Sequence, residues 1–569
     1  MKTKLFLTFS LFSFLFFSSP LPSLSFDNWR NADWKKLWDP QVNLGPLDYQ
    51  MLAARLTNEM SDEQVLAQTL MLGWVGAEPS PLILDWIRQR NIGGVKIFGW
   101  NTDDTLRLAA TVGELQREAL AAGFGVPLFV ATDQEGGIVR HVRGDTSDAP
   151  GNMAIGASGR PIDAYRSGYF IGREMAMLGI NMNFAPTVDV FNNHDSILIG
   201  PRSFGDDPVA AGILGAAFAQ GHRDVRVIAT AKHFPGHGDT ALDSHGILPR
   251  IAADLDLLWE RELVPYRLMI REGIPAIMSG HIAFPNTPGG GTPASLSPWF
   301  LQDLLRDKMG FEGLIITDDL MMVGATAYTG SISRAAKLAL AAGNDIIMFS
   351  TTPFLNDRIW TYLLSSMQQD PEFRERVRDA CRRNLVKKMQ YLRGEGKVPF
   401  FPDLNRIAAG VIDPRGTASF LDLAARSVTI VNDNGVFPLT PENAGRVLLA
   451  GNFTNFFEAG RRAFPNAVSY WIRPAQGTAE LLAHARNADT IIFSVSNIAG
   501  LRMLQQLRPL NRRIIVVSVL SPTPLRELPW VDGAVAIYSF AHESFIAGFS
   551  AILGRIPAHG RLPFDLFGQ

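Results

Sequence analysis

Three His, two Asp and a Lys fall within the 14 residues KHFPGHGDTALDSH, from Lys232 to His245. Residues of these types could hold a metal, move a proton, or simply solvate a loop. As metal ligands, His233, His237, Asp239, Asp243 and His245 would offer imidazole and carboxylate donors of the kind that suit zinc or iron. Their spacing is not that of a helical HExxH pair, and Lys232 beside them would repel a cation. No metal and no cofactor is therefore expected. Proton transfer fits the pattern better. A carboxylate at Asp243, two residues before His245 on a turn, can accept from one ring nitrogen and leave the other facing a substrate. Asp318, at the end of LIITDD, is the natural partner. A carboxylate nucleophile on one side of a sugar ring and an acid/base on the other is the arrangement for glycoside hydrolysis with retention. His in place of a second carboxylate supplies an acid with a pKa near ~6.5.

These groups need a scaffold that brings distant loops together. Eight short apolar runs recur between Gln68 and Ser350, each followed by enough chain for a helix. They are Leu70 to Trp74, Val95 to Phe98, Leu128 to Ala131, Met182 to Ala185, Val227 to Ala231, Ala276 to Ser279, Leu314 to Thr317 and Asp345 to Phe349. Eight βα units predict an α/β fold of the (β/α)8 TIM-like barrel type, in which chemistry sits on loops at the carboxyl ends of the strands. Asp133, Asp189, Lys232 with His233, His281, and Asp318 with Asp319 all fall at such ends. Asp319 is expected to cap the following helix and Asp189 to act behind the site or in a turn, while His281 fits a structural role as well as substrate contact. Trp74, Trp100 and Phe204 are aromatic residues near strand ends, each able to stack on a sugar or to fill core.

The expected organisation is a signal peptide over 1–25, a barrel over 26–395, a linker over 396–411 and a second, doubly wound α/β sandwich domain over 412–569. A helical stretch from Asn356 to Arg393 closes the barrel, and GEGKVPFFPD breaks the pattern after it. The runs VTIVND, RVLLAGN, TIIFSVS, RIIVVSVL and AVAIYSF predict the second sheet. No glycine-rich phosphate loop follows any of them, which leaves nucleotide binding without support. The leader has Lys2 and Lys4, then an apolar run from Leu5 to Phe17, shorter than the ~20 residues of a spanning helix. Export to the periplasm or the medium follows, without stable membrane insertion. Cys381 is the only cysteine, so no internal disulfide can form. A net charge of -2 with 19% charged residues gives no reason to expect nucleic acid, and a neutral small-molecule partner fits better. The oligomeric state is left open.

Six stretches together resemble glycoside hydrolase family 3, in its β-N-acetylglucosaminidase (β-N-acetylhexosaminidase) branch. They are ATDQEGGIV (131–139), NFAPTVDV (183–190), IGPRSFGDDP (199–208), KHFPGHGDTALDSH (232–245), IMSGHIAFP (277–285) and GLIITDDLMMVGA (313–325). The resemblance implies that Asp318 forms a covalent glycosyl-enzyme and that His245 is the acid/base, held by Asp243. It implies that Asp133, Arg202, Lys232 and His233 bind sugar hydroxyls. Where the family pattern has Arg, eight residues after the DQEGG aspartate, this chain has His141, which takes the substrate-binding place in its stead. The activity implied is exo-acting, metal-independent removal of terminal N-acetylglucosamine from peptidoglycan fragments or chitooligosaccharides. The alternatives are a phosphorylase using the same residues, a metal-dependent hydrolase on the same barrel, and a non-catalytic cell-wall sugar-binding protein.

Overall fold

The computed structural model describes residues 34–39, 48–196, 198–240, 242, 244, 246–473 and 478–568. The leader over 1–25 lies outside them, as do Asp243 and His245.

Each branched apolar run becomes a short buried strand: β1 (Leu70–Gly73), β2 (Gly94–Lys96), β3 (Phe129–Thr132), β4 (Met182–Asn183), β5 (Ile228–Phe234), β6 (Ala276–Ser279), β7 (Leu314–Asp319) and β8 (Ile346–Phe349). They close into a barrel in sequential order, with β8 paired to β1 in parallel. Helices cover the outside, and aspartates start several of them. Asp104, Asp207 and Asp357 each accept backbone N–H groups that the first helical turn would leave unpaired. Inside the barrel, Met71, Phe129, Met182, Ile228, Met278, Ile316 and Met348 form a separate apolar cluster. The lower barrel is therefore packed core, and polar chemistry is confined to the upper end.

The helical stretch expected over Asn356 to Arg393 is two helices, Arg358–Gln369 and Pro371–Tyr391. Pro371 cannot donate to a continuing helix, and Asp370 caps the second one through Phe373 N–H at 3.0 Å.

Beyond the barrel stand β9 (Thr429–Asp433), β10 (Val447–Gly451), β11 (Val468–Trp471), β12 (Thr490–Val495), β13 (Arg513–Ser518) and β14 (Gly533–Ala536). The sheet order is β9-β14-β13-β12-β10-β11, parallel except for β9 against β14. Apolar clusters lie on both faces, as in a doubly wound sheet. The terminal segment of this second unit returns to the barrel. Pro563 C=O accepts Asp206 N–H at 3.1 Å, Asp565 N–H donates to the Asp206 carboxylate at 2.9 Å, and Phe564 meets Phe191 edge-on. Gly205 makes this approach possible. Its φ is +139°, and a Cβ there would lie 2.0 Å from Pro563 O. The second unit thereby buttresses the loop that carries Arg202.

Candidate active site

Asp133 leaves the end of β3, and its two oxygens take two different ammonium groups. Lys232 Nζ from β5 lies 2.5 Å from Oδ1, and Lys96 Nζ from β2 lies 2.5 Å from Oδ2. Lys232 also reaches Glu135 at 2.7 Å. Glu135 in turn takes both arms of the Arg202 fork, at 2.9 and 2.8 Å. Lys96, Lys232 and Glu135 are almost wholly buried, whereas the Asp133 side chain keeps 17% of its surface open. Asp133 is thus the member of the network able to meet a ligand.

The network explains the protonation states. Burial alone would raise the Asp133 and Glu135 carboxyls, but the cations outweigh it. Asp133 is held well below the ordinary carboxylate range by Lys232 and Lys96, and Glu135 is held at about 2 by Arg202 and Lys232. Burial would also lower Lys232, yet Asp133 and Glu135 together hold it above the ordinary lysine value. Lys96 shares its one carboxylate with Lys232, so burial prevails and its pKa falls.

His233 follows Lys232 on β5. Its Nδ1 lies 2.7 Å from Asp189 Oδ2, and Asp189 also accepts the backbone N–H of His233 at 3.2 Å and of His237 at 2.7 Å. A proton on Nδ1 leaves Nε2 as acceptor, and Arg202 Nη2 stands 3.4 Å from it. Asp189 therefore orients His233 from behind. Asp239 is likewise engaged, by Arg261 at 2.5 Å. Among the described residues no group of three His, Cys, Asp or Glu side chains could hold a metal ion.

His141 comes to the same carboxylate as the two lysines, its Nε2 3.5 Å from Asp133 Oδ2. Burial, ahead of any other influence, lowers its pKa and favours the neutral imidazole.

Asp318 and Asp319 end β7 side by side with opposite environments. At Asp318 burial would raise the pKa, but His233, His281 and Lys232 outweigh it and the carboxyl is lowered. At Asp319 burial wins and the carboxyl is raised, although Met321 N–H and Ser350 N–H donate to it at 3.0 and 3.1 Å. Asp318 Oδ1 accepts the N–H of Asp319 at 2.8 Å, and its other oxygen has no hydrogen-bond partner among the described residues. A carboxylate that stays ionised with one oxygen uncommitted is suited to nucleophilic attack. His281 is fully buried with both ring nitrogens satisfied, by Ser295 Oγ at 2.7 Å and Asp319 O at 3.1 Å, which is the structural role.

Asp133, Arg202, Lys232, His233 and His141 thus stand in one connected cluster, of which Lys232 and His233 act electrostatically on Asp318. Asp243 and His245 lie outside the described residues. Lys96, Glu135 and the pairing of Asp189 with His233 complete the cluster and were not singled out from sequence. A lysine inside the apolar run GGVKIF was the available signal for Lys96. Trp74 and Phe204 are buried core at 1% and 3% exposure, whereas Trp100 is half exposed at 50%.

Residues 63–385 match the model of the glycosyl hydrolase family 3 N-terminal domain. The chain is 31% identical over 382 residues to β-hexosaminidase A of Pseudoalteromonas piscicida, a match covering 63% of this chain and 62% of that relative. The chain thus spans less than two thirds of that relative's length. It is 31% identical over 553 residues to the β-N-acetylglucosaminidase/β-glucosidase of Cellulomonas fimi, covering 90% of this chain and 94% of the other. Among solved structures, a glycoside hydrolase family 3 β-N-acetylglucosaminidase from Paenibacillus sp. str. FPU-7 superposes with a TM-score of 0.82 at 27% identity, covering 90% of this chain and all of that one.

Proposed function

The chain belongs to glycosyl hydrolase family 3, and from that premise we propose that it is an exo-acting, retaining β-N-acetylglucosaminidase acting on terminal N-acetylglucosamine. One observation carries the reading. Asp318 is a carboxylate of lowered pKa with one oxygen free of hydrogen bonds among the described residues, beside the cluster in which Asp133 keeps part of its surface open.

In the first step Asp318 attacks the anomeric carbon and the glycosidic bond breaks, while His245 gives its proton to the departing oxygen. The product is a glycosyl ester on Asp318. In the second step His245 takes a proton from water, the water oxygen bonds to the anomeric carbon, and Asp318 leaves. Inversion twice gives net retention. The roles of His245 and Asp243 rest on the loop sequence and on its resemblance to the family. Asp133 accepts from the sugar hydroxyls, with His141, Arg202 and His233 beside it, and Lys232 and Lys96 keep Asp133 ionised for that purpose. The relatives described as β-hexosaminidases and β-N-acetylglucosaminidases support the choice of sugar. Lys2, Lys4 and the apolar run after them support export.

Proton NMR of the first-formed product tests this. The β-anomer of free N-acetylglucosamine is expected in phosphate-free buffer. The α-anomer would overturn retention, and turnover only with phosphate, yielding the sugar phosphate, would make the protein a phosphorylase.

A further inference from the structure

On the reading that Asp133 meets the reacting sugar, we infer that Gln134 is a positioning residue for the sugar site: its side-chain amide fixes the segment that brings His141 to Asp133. Gln134 is buried and stands in the chain between the two carboxylates of the charged cluster, Asp133 and Glu135. It begins the short strand Gln134–Gly136, which pairs antiparallel with Val139–Arg140. His141 follows directly, its N–H donating to Asp133 O at 3.1 Å. At Val142 the Gln134 side chain takes the place of a backbone partner. Its Oε1 accepts Val142 N–H at 3.0 Å, and its Nε2 donates to Val142 O at 2.9 Å. Val142 is buried, so its peptide groups depend on protein partners, and Thr146 Oγ1 adds a second donor to the same carbonyl at 3.1 Å.

The Gln134 peptide is held from its other side in the same manner. Asn183 ends β4 and pairs with Thr132 of β3 in parallel register. Its side-chain Oδ1 accepts Gln134 N–H and its Nδ2 donates to Gln134 O, both at 2.9 Å, which carries the β3–β4 pairing past the last residue of β3. The second hydrogen of that amide goes to His222 Nε2 at 2.9 Å, on the helix Pro208–Asp224. This bond needs Nε2 unprotonated. Burial holds the His222 imidazole down at about 4, and the remaining ring proton sits on Nδ1, which faces Phe218 O at 3.4 Å. His141 is also fixed at its own carbonyl, which accepts from Thr102 Oγ1 at 2.6 Å. With the peptides on both sides of residue 141 tied, its Nε2 is delivered to within 3.5 Å of Asp133 Oδ2. Lys96 and Lys232 on the same carboxylate have side chains 1% and 2% exposed, whereas the His141 side chain keeps 29% of its surface open. Of these three groups on Asp133, His141 is the one a sugar can reach, and Gln134 sets where it stands.

The test is a double-mutant cycle on the full-length enzyme: wild type, Gln134→Met, His141→Ala and the double variant. The readouts are the inhibition constant of N-acetylglucosamine and kcat on an aryl β-N-acetylglucosaminide, with Tm recorded for each protein. Met keeps the length of the side chain and removes both hydrogen bonds to Val142. Gln134→Met and His141→Ala should each weaken N-acetylglucosamine about tenfold, with kcat of Gln134→Met within about threefold of the wild type. Because Gln134 acts through His141, the double variant should bind no worse than His141→Ala alone, to within about twofold. A role confined to stability would lower Tm and leave the inhibition constant in place. If Gln134→Met does not fold, Gln134→Glu, which keeps the acceptor for Val142 N–H, takes its place in the cycle with the same coupling expected. An inhibition constant within about twofold of the wild type in either single variant, or losses that multiply in the double, overturns the inference while leaving the activity standing. A wild type that neither cleaves the aryl glycoside nor is inhibited by N-acetylglucosamine overturns the activity and the inference together.

Discussion

The two halves of the barrel mouth are built on different principles. From β3 to β5 the strand ends carry Asp133, Glu135, Asp189, Lys232 and His233, nearly all buried and each committed to partners of opposite charge. From β8 through β1 to β2 the rim carries Val75, Trp100 and Phe354 as exposed apolar side chains. Buried charges cost free energy unless paired, so the first half must be over-connected to exist at all. That connection fixes each of them in place. The apolar half needs no such network. The charged half carries the groups proposed to hold the sugar that reacts, and Asp318 ends β7, the strand next to β8.

Substitutions should separate the halves. Asp318→Ala has the largest expected effect, because both steps pass through that carboxylate: kcat should fall at least about ten-thousandfold on every substrate, measured by initial rates. Near-normal activity would remove Asp318 from the nucleophile role. Lys232→Ala comes next. It leaves Asp133 and Glu135 with one fewer cation each, and kcat/KM should fall about 100-fold or more, by the same factor for methyl glycoside and disaccharide alike. A loss confined to disaccharides would place Lys232 with the leaving group rather than with the reacting sugar. The smallest effect is on stability. Glu135 is held at about 2 against an ordinary 4.5, so its stabilising contribution is complete above pH about 4.5 and is lost as pH falls toward 2. The Tm difference between wild type and Glu135→Gln should therefore be widest near neutral pH and shrink as pH drops below about 4.5. A constant difference down to pH 3 would contradict the depressed carboxyl.

The halves also differ in how far they could be seen in the sequence. The eight barrel strands were legible because most are short apolar runs separated by enough chain for a helix. β11 was not, because it is an edge strand in which Val468, Ser469 and Trp471 are exposed and no buried run marks it. In the charged half, Asp133, Lys232, His233 and Arg202 could be singled out from their motifs, and Asp189, expected behind the site or in a turn, bonds to His233. Lys96 and Glu135 were missed as members, since their importance lies in partners brought from other strands. The apolar half was hardly legible at all. Trp74, Trp100 and Phe204 look alike as strand-end aromatics, and only packing distinguishes the two that fill core from the one that faces solvent.

The central claim is that Asp318 becomes covalently bonded to an N-acetylglucosamine unit. Incubation with a fluorinated N-acetylglucosamine-type trapping reagent, followed by proteolysis and peptide mass mapping, tests it most directly. The account predicts one sugar adduct per chain, on the peptide containing Asp318 and on that side chain. An adduct on another residue, or steady turnover of the reagent with retention and no adduct, would contradict it.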